Sequence, residues 1–316
     1  MKGKPILTAV GALAAATGAA AAINNALSRK APQLWPAIPA PQGDYDWDGG
    51  RVHYYCAGEG DPVVLLHSHN AAASAYEMKQ AFRELSADHL VFTVDLPGYG
   101  LSERVDRPYY AQTYVRFLHD FVLDVVQRPA VLIASSVSGA HALLAAAEDP
   151  RAFSHIVVAS PTGLHAGNVA PPGAVRALSK AAGLPVWGQA LYNGIVSKAS
   201  IRRTLEHQVY YNPWAVTHEM VEYAWATSHQ PNAVCAPYGF LNGDVWADAR
   251  AAYAGIRLPL LAIWGDHDRM NPFEASEPDL CANPDARVVV IPECGAAPYD
   301  EKPAEFAAIV RDFLGM

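Results

Sequence analysis

Short apolar runs alternate with amphipathic segments along most of the chain. The apolar runs are rich in Val, Leu and Ile and are bounded by Gly, Asp or Pro, which is typical of buried strands. These predicted strands read RVHYYCAG, PVVLLHS, HLVFTVDL, PAVLIAS, SHIVVAS, LPLLAIWG and RVVVIP. Between them apolar residues recur at helical spacing, for example at Tyr114, Phe117, Phe121 and Val125. Because buried strands separated by helices form parallel sheets covered on both faces, the pattern predicts an α/β fold.

The alternation stops after the strand SHIVVAS and resumes only at LPLLAIWG. Residues 162–252, which lie between, read as mostly helical and are rich in Tyr, Trp and His. We therefore predict a core formed by residues 44–161 and 253–316, with residues 162–252 as a helical cap over one edge of its sheet.

The N-terminal segment has a different pattern from the rest. Lys2 and Lys4 precede an uncharged run over residues 5–23, and Arg29 and Lys30 follow it. A basic start before an apolar run is typical of an export signal or a membrane anchor, so we predict that residues 1–30 serve as one of these. We expect an exported or membrane-anchored protein, with residues 31–43 as a Pro-rich linker. An Ala-rich surface helix on a cytoplasmic protein is the alternative.

Composition narrows the function classes. The chain has 316 residues and a formal charge of −8, which argues against a nucleic-acid partner. Its four cysteines form no CxxC pair, so we expect ordinary thiols, with a Cys281–Cys294 disulfide as the alternative. Phosphate-binding loops, dinucleotide fingerprints and metal-ligand clusters are not apparent, and we expect no cofactor and no metal.

The loops after the predicted strands carry most of the polar chemistry. In chain order they read HSHN, DLPGYGLSE, ASSVSGA, GDHDRMNP and CGAAPYDEKP. This succession resembles the α/β-hydrolase fold family, and the resemblance extends from Tyr45 to the end of the chain. It implies a mostly parallel eight-stranded sheet with helices on both faces and a helical cap inserted after strand 6.

The same resemblance implies roles for particular residues. Ser136 stands at the nucleophile of the family's Gly-x-Ser-x-Gly elbow, although Ala134 and Ser138 replace its two glycines. The backbone N–H groups of His69 and Val137 stand where the family's oxyanion hole lies, and Asp268 matches the triad acid. A purely structural role for Ser136, as the cap of the following helix, is the alternative.

The triad histidine is the point at which the chain departs from the family. In the turn CGAAPYDEKP, Ala296 stands where the resemblance places the general base. A serine hydroxyl without a base is a poor nucleophile. Another imidazole could act, with His69 the leading candidate and His207, His218 and His229 behind it. Otherwise the fold serves only binding, or Ala296 is an engineered change.

We therefore predict a serine hydrolase with a degenerate triad, acting on an ester or related acyl bond of a small apolar substrate. A catalytically silent ligand-binding protein is the alternative. Aromatic residues of the cap, including Trp214 and Trp246, favour an apolar or aromatic ligand, although they would equally serve to pack the cap on the core.

Overall fold

An eight-stranded sheet organises the computed structural model, which describes residues 4–173, 175–176 and 186–315. Its strands are β1 (Gln42–Trp47), β2 (Gly50–Ala57), β3 (Pro62–Leu66), β4 (Leu90–Val94), β5 (Ala130–Ser135), β6 (Phe153–Ala159), β7 (Leu260–Gly265) and β8 (Arg287–Ile291). They lie in the order β1-β2-β4-β3-β5-β6-β7-β8. The β1–β2 and β2–β4 pairs are antiparallel and all others are parallel, so the predicted sheet is confirmed.

Strand composition follows position in the sheet. Every residue of β3 and β5 is buried, as expected for central parallel strands with both faces covered. The edge strand β1 reads QGDYDW and exposes alternate residues, so its apolar signal was too weak to predict a strand. It joins β2 through a two-residue turn in which Asp48 and Gly49 both have positive φ, of 49° and 77°. Such turns match the twist of a hairpin.

Helices cover both faces of the sheet. The α-helices of the described residues are α1 (Lys4–Lys30), α2 (Lys79–Leu85), α3 (Ala111–Phe121), α4 (Val137–Glu148), α5 (Trp187–Ile195), α6 (Lys198–Thr204), α7 (His218–Ser228), α8 (Cys235–Asn242), α9 (Arg250–Gly255), α10 (Phe273–Leu280), α11 (Pro298–Glu301) and α12 (Pro303–Leu314). One apolar layer joins α3 and α4 to the sheet through Tyr114, Phe117 and Leu143. The opposite layer joins α2 and α12 through Phe82 and Phe306. Each such buried side chain stabilises the fold by roughly 1.5–3 kcal/mol.

Five of these helices, α5 to α9, lie between β6 and β7, where a helical cap was predicted. The part of that predicted cap over residues 177–185 lies outside the described residues. Cap residues including Tyr192, Ile201 and Tyr210 form an apolar cluster that also contacts Ala71, in the loop after β3. The Tyr192 hydroxyl donates a hydrogen bond to the Ala71 carbonyl oxygen at 2.9 Å. The cap is thereby fixed above one of the loops in which the sequence predicted chemistry.

Helix α1 packs against α5. The Asn24 amide donates to the Val186 carbonyl oxygen at 2.9 Å and accepts from the Asn193 amide at the same distance. Within the described ranges, none of the helices combines the length and apolar character that crossing a bilayer requires. The predicted membrane tether through residues 5–23 lacks that support.

The Pro-rich residues 31–43, predicted as a linker, lie against the body of the protein; we call them the docked segment. The Ala37 N–H donates to the Tyr55 hydroxyl at 2.8 Å, and the Tyr223 hydroxyl donates to the Trp35 carbonyl oxygen at 3.2 Å. The Trp35 and Tyr223 rings meet edge to face, 5.2 Å apart. Buried side chains of the docked segment are those of Leu34, Ala37 and Ile38.

Candidate functional site

Four loops meet at the carboxyl edge of the sheet. Ser136 follows β5, Ser160 follows β6, Asp268 follows β7 and Ala296 lies beyond β8. Backbone hydrogen bonds join neighbouring loops: Ser136 N–H to Ala159 O at 2.9 Å, Ser160 N–H to Ile263 O at 2.8 Å, and His267 N–H to Cys294 O at 2.9 Å. The order of the strands therefore brings these side chains to one edge, where ligands bind in open α/β sheets.

Ser136 occupies the sharp turn between β5 and α4. Its φ of 52° and ψ of −122° are strained for a residue with a Cβ atom, at a cost of about 1–3 kcal/mol. Its side chain is partly exposed, although Ser135 and Val137 on either side are buried. The Ser136 side chain makes no capping hydrogen bond to α4, contrary to the purely structural alternative. The Ser136 hydroxyl therefore has no hydrogen-bond partner among the described residues, in a residue that is partly exposed.

Two residues explain how the turn tolerates the loss of the family's glycines. The Ser138 hydroxyl donates a hydrogen bond of 2.6 Å to the His67 carbonyl oxygen, which ties the start of α4 to the loop after β3. Gly139 supplies the close approach that is still needed, since a Cβ atom there would lie 2.9 Å from the Pro161 Cβ. The Ser138 side chain thus adds a hydrogen bond between α4 and the loop after β3, which a glycine at this position could not make.

The loop after β3 is held by a partly buried carboxylate. Glu77 accepts hydrogen bonds from the Ser68 N–H at 3.0 Å, the Ser68 hydroxyl at 2.7 Å and the Asn70 amide at 2.9 Å. Burial raises the pKa of Glu77, and these three donors oppose that rise. Within the described residues, the N–H groups of His69 and Val137 donate no hydrogen bond. Free amides of this kind can stabilise an oxyanion.

The His69 imidazole forms no hydrogen bond with Ser136. It is buried beside Tyr99, Tyr114 and His141, with ring centroids 5.4, 4.3 and 5.0 Å from its own. Its Nδ1 lies 3.3 Å from the Tyr99 hydroxyl, and its Nε2 has no partner. Burial, followed by the proximity of His141, lowers the pKa of His69 well below its usual 6.5. The predicted replacement base is neutral and forms no hydrogen bond with Ser136.

No other imidazole takes its place. All twelve histidines lie in the described ranges, and none forms a hydrogen bond with the Ser136 hydroxyl. His67 is fixed beneath its loop, with Nδ1 2.7 Å from the Ser68 carbonyl oxygen and Nε2 accepting from the Leu96 N–H. Of the cap candidates, His229 bonds to the Trp225 carbonyl oxygen and His218 pairs with Glu222.

Asp268 is buried with one carboxylate oxygen satisfied. Its Oδ1 accepts from the Met270 N–H at 2.8 Å and the Asn271 N–H at 2.9 Å. Its Oδ2 has no hydrogen-bond partner, although the residue is only 4% exposed. Burial raises the pKa of Asp268; the nearby Ser160 hydroxyl lowers it, without forming a hydrogen bond of normal geometry. Asp268 Oδ2 and Ser160 Oγ are thus both unpaired, and the Ser160 hydroxyl is the donor that lies near the carboxylate.

Ala296 is held by its backbone and presents only a methyl group. Its N–H donates to the Val209 carbonyl oxygen at 2.7 Å, and the residue is partly exposed. The nearby Tyr299 phenol is buried and accepts a hydrogen bond from the Ser135 hydroxyl at 3.0 Å. The assignment of Ala296 to the position of a triad histidine stays a prediction.

Sequence reasoning missed two polar residues of this edge, Ser160 and Thr162. Both follow β6 in the stretch SPT, and the only signal was their position just beyond a buried strand. Three buried polar atoms without partners belong to the loops after β6 and β7: Ser160 Oγ, Thr162 Oγ1 and Asp268 Oδ2. Since buried polar groups normally have partners, these atoms indicate a place where water or a ligand completes the hydrogen bonding.

The structure also bears on the cysteines and on the two tryptophans singled out in the cap. All four cysteines are free thiols, so the alternative Cys281–Cys294 disulfide is wrong. Trp214 is 92% exposed, whereas Trp246 donates to the Phe240 carbonyl oxygen and stacks on its ring. In the described part of the chain, no cluster of three or more His, Cys, Asp or Glu is arranged to hold a metal.

Comparison with known proteins places the chain in a family. The chain is 27% identical over 279 residues to a 2-hydroxy-6-oxo-6-phenylhexa-2,4-dienoate hydrolase of Comamonas testosteroni, covering 83% of this chain and 91% of that protein. It is 26% identical over 273 residues to a pimeloyl-[acyl-carrier protein] methyl ester esterase of Vibrio parahaemolyticus, covering 83% and 98%. A bacterial membrane phospholipase A has a similar structure, with a TM-score of 0.70 at 19% identity, covering 99% and 96%. Residues 63–309 match the model of the alpha/beta hydrolase family, and the chain belongs to that family.

Proposed function

We propose that this protein binds a small, largely apolar carbonyl compound, an ester or a ketone, above Ser136 and hydrolyses esters there only slowly. One combination of observations carries the proposal. Ser136 has a strained backbone, and among the described residues its hydroxyl and the N–H groups of His69 and Val137 have no hydrogen-bond partner. None of the twelve histidines forms a hydrogen bond with that hydroxyl. The site has what is needed to hold and polarise a carbonyl. It lacks the base that would make the serine an efficient nucleophile.

The missing base sets the expected rate. Without an imidazole in contact, the serine must lose its proton to water during attack. Triads that lose one member retain about 10³–10⁴-fold acceleration over water, from the oxyanion hole and binding alone. A residual rate of that size is compatible with a binding protein that slowly turns over its ligand.

The apolar character of the proposed ligand is inferred from the apolar cluster of the cap. The cap cluster that contains Tyr192 and Tyr210 contacts the loop carrying His69 at Ala71, so apolar side chains of the cap lie beside that loop. The two curated relatives are named for acting on a phenyl ketone and a methyl ester. Both names describe a carbonyl carbon beside an apolar or small group, which supports the same class here.

A hydrolase of ordinary speed is the second candidate. The strain at Ser136 favours it, because a strained backbone at a functional turn is typical of a residue that reacts. The names of the relatives, a hydrolase and an esterase, favour it too. This candidate requires a base from outside the twelve histidines.

The test compares two ligands of one shape. Butyrophenone has a carbonyl, and butylbenzene replaces that carbonyl with a methylene. Calorimetry is expected to show at least about tenfold tighter binding of the ketone. The reason is that each neutral hydrogen bond donated to its oxygen, by the N–H groups of His69 and Val137, is worth about 1 kcal/mol. The amide NMR signals of His69 and Val137 should shift with the ketone. Equal affinities, or shifts confined to other residues, would overturn the proposal.

Turnover separates the two candidates. Hydrolysis of methyl and p-nitrophenyl butyrate by the wild-type protein is expected to stay within about 10³–10⁴-fold of the buffer rate. Acceleration of about 10⁶-fold or more would instead establish a working hydrolase.

A further inference from the structure

The two edges of the sheet differ in what they expose. The edge strand β1 carries carboxylates at Asp44 and Asp46, both at exposed positions. Charged side chains on an edge strand oppose pairing with another chain. The opposite edge strand, β8, reads RVVVI and exposes Val288 by 36% and Val290 by 37%. Neither valine belongs to the apolar layers on the two faces of the sheet. The β8 edge therefore lacks the protection that β1 has.

The backbone of β8 leaves four hydrogen-bonding groups free at this edge. In the sheet β8 pairs only with β7, in parallel, and the Ile291 carbonyl oxygen accepts from the Asp266 N–H, just beyond β7, at 3.0 Å. Alternate residues of a strand direct their N–H and C=O groups to opposite sides, so Val289 and Ile291 face β7. Val288 and Val290 therefore face outward, and no hydrogen bond joins their N–H or C=O groups to the described residues.

The residues on either side limit a ladder on this edge to the same length. Ala286, two places before Val288, already donates its N–H to the Asn283 carbonyl oxygen at 3.2 Å. Pro292, two places after Val290, has no N–H to donate. The free edge thus consists of the outward groups of two valines, is uncharged, and is centred on the residue between them.

We propose that this edge pairs with β8 of a second copy of the chain, antiparallel, about a two-fold axis at Val289. In that register Val288 of each copy lies opposite Val290 of the other. Opposite residues that both face the partner strand exchange two hydrogen bonds, so the two such pairs form four bonds and leave none of the outward groups unpaired. The exposed valines then meet as cross-strand pairs, which β-branched side chains favour. The two sheets continue as one.

The self-complementarity of the edge favours a second copy over an extended peptide. A two-fold axis repeats every contact, so an edge whose donors and acceptors match under that axis is its own partner. A peptide would gain the same four hydrogen bonds but would first have to order its backbone, whereas β8 is already ordered in the folded protein. Because the contact is small, we expect a dissociation constant of roughly micromolar size.

The antiparallel register has a consequence for the candidate site. Strands β6, β7 and β8 of each copy lie between the two β5 strands, so seven spacings of about 4.8 Å place these strands about 34 Å apart. The strands of the two sheets run in opposite directions, so the carboxyl edges that carry Ser136 face opposite sides of the dimer. The two sites share no residues, and dimerisation is independent of the proposed carbonyl binding.

The oligomeric state, measured by sedimentation velocity, tests the pairing. The wild-type protein is expected to pass from monomer to dimer across roughly 1–100 µM. Val290→Lys places a charge in each cross-strand pair and should raise the dissociation constant at least about tenfold. The matched control is Leu123→Lys, which should dimerise like the wild type. Leu123 is 52% exposed and lies next to Asp124, which accepts a hydrogen bond from Tyr45 of β1 at the far edge of the sheet.

Two results of that experiment would overturn the inference. One is a wild-type protein that stays monomeric throughout this range of concentration. The other is a Val290→Lys variant that dimerises as the wild type does, which would place the contact on another surface. Melting temperatures of Val290→Lys and the wild type, compared at a concentration at which both are monomeric, should agree and so exclude misfolding as the cause.

A disulfide tests the register independently. Opposite residues of a non-hydrogen-bonded antiparallel pair have Cα atoms about 4.5 Å apart, which a disulfide can span. Val289 lies opposite itself across the axis, so Val289→Cys should form a covalent dimer on mild oxidation. The background is Cys281→Ser, which removes the exposed native thiol. The control Val288→Cys in the same background lies opposite Val290 and should cross-link at least about tenfold more slowly. Absence of a cross-link at position 289, or faster cross-linking at 288, would contradict the proposed register.

Discussion

At the scale of single residues, the site combines two features that are costly in isolation. Ser136 is held at a positive φ that disfavours any residue with a Cβ atom, and Asp268 is buried with an oxygen unpaired. Costs of this kind persist where the surrounding structure enforces them, most often at functional sites. A single substitution therefore tests whether the remaining parts still fit an imidazole.

Ala296→His is expected to raise ester hydrolysis and fluorophosphonate labelling by about 10²-fold or more, because it offers a base to Ser136 and a donor to Asp268 Oδ2. Initial rates with p-nitrophenyl butyrate measure the effect. The double variant Ala296→His/Ser136→Ala is the control and should lose the gain. An unchanged rate in Ala296→His would mean that the loops are not spaced for a triad.

Asp300 gives a prediction for stability. Burial raises its pKa from 3.8 to about 6, although the Tyr210 hydroxyl donates to it and opposes the rise. The folded state therefore binds its proton more tightly than the unfolded state does. This contribution to stability is full below about pH 4 and is lost as the pH rises through about 6. At 1.36 kcal/mol per pKa unit it amounts to about 3 kcal/mol.

Asp300→Asn should remove that loss, since the amide stays neutral and can still accept from Tyr210. Thermal unfolding measured from pH 4 to pH 7.5 should show the variant gaining stability relative to the wild type as the pH rises. Asp61→Asn, at an exposed carboxylate, serves as the control. A stability difference that does not vary with pH would contradict the assignment.

At the scale of elements, the strand pattern was predictable and the contacts between loops were not. Runs such as PAVLIAS specify buried strands through composition alone, and the order of loops placed Ser136 and Asp268 at one edge. The direction of the His69 side chain depends on Tyr99, Tyr114 and His141, which lie far away in sequence. The Ser138 cross-link to His67 likewise joins residues that no local pattern relates.

The loop after β3 carries the prediction at this scale. In Glu77→Gln one carboxylate oxygen becomes an NH2 group, which would face a second donor, either at Ser68 or at the Asn70 amide. The Asn70 amide cannot flip to relieve this, because its oxygen accepts from the Ala72 N–H. A loss of about 1–3 kcal/mol of unfolding free energy is expected, together with weaker binding of butyrophenone, because the loop positions the His69 N–H. Urea denaturation and calorimetry measure the two effects. Unchanged values for both would show that Glu77 is not what holds the loop.

At the scale of the whole molecule, the docked segment joins strand β2 to helix α7 of the cap. Its composition predicted a linker, because Pro-rich sequence carries no periodic signal for packing. The contacts that hold it come from β2 and α7, through Tyr55 and Tyr223. Only the folded arrangement brings these residues together.

Tyr55→Phe should release the docked segment. The buried Ala37 N–H would lose its acceptor, at a cost of about 1–3 kcal/mol. Limited proteolysis should then cleave within residues 31–43 faster than in the wild type. Tyr54→Phe is the matched control, since the neighbouring Tyr54 hydroxyl makes no hydrogen bond with the described residues. Equal cleavage of both variants would mean that the apolar contacts alone fix the segment.

The docking of residues 31–43 has a mechanical consequence. Helix α1 is fastened to α5 through Asn24, and the chain that leaves α1 is fastened again at Trp35 and Ala37 before it enters β1. These hydrogen bonds restrict rotation of the body of the protein about α1. A force applied to α1 at Asn24 would therefore be transmitted to α5 and, through Ala37 and Tyr55, to β2.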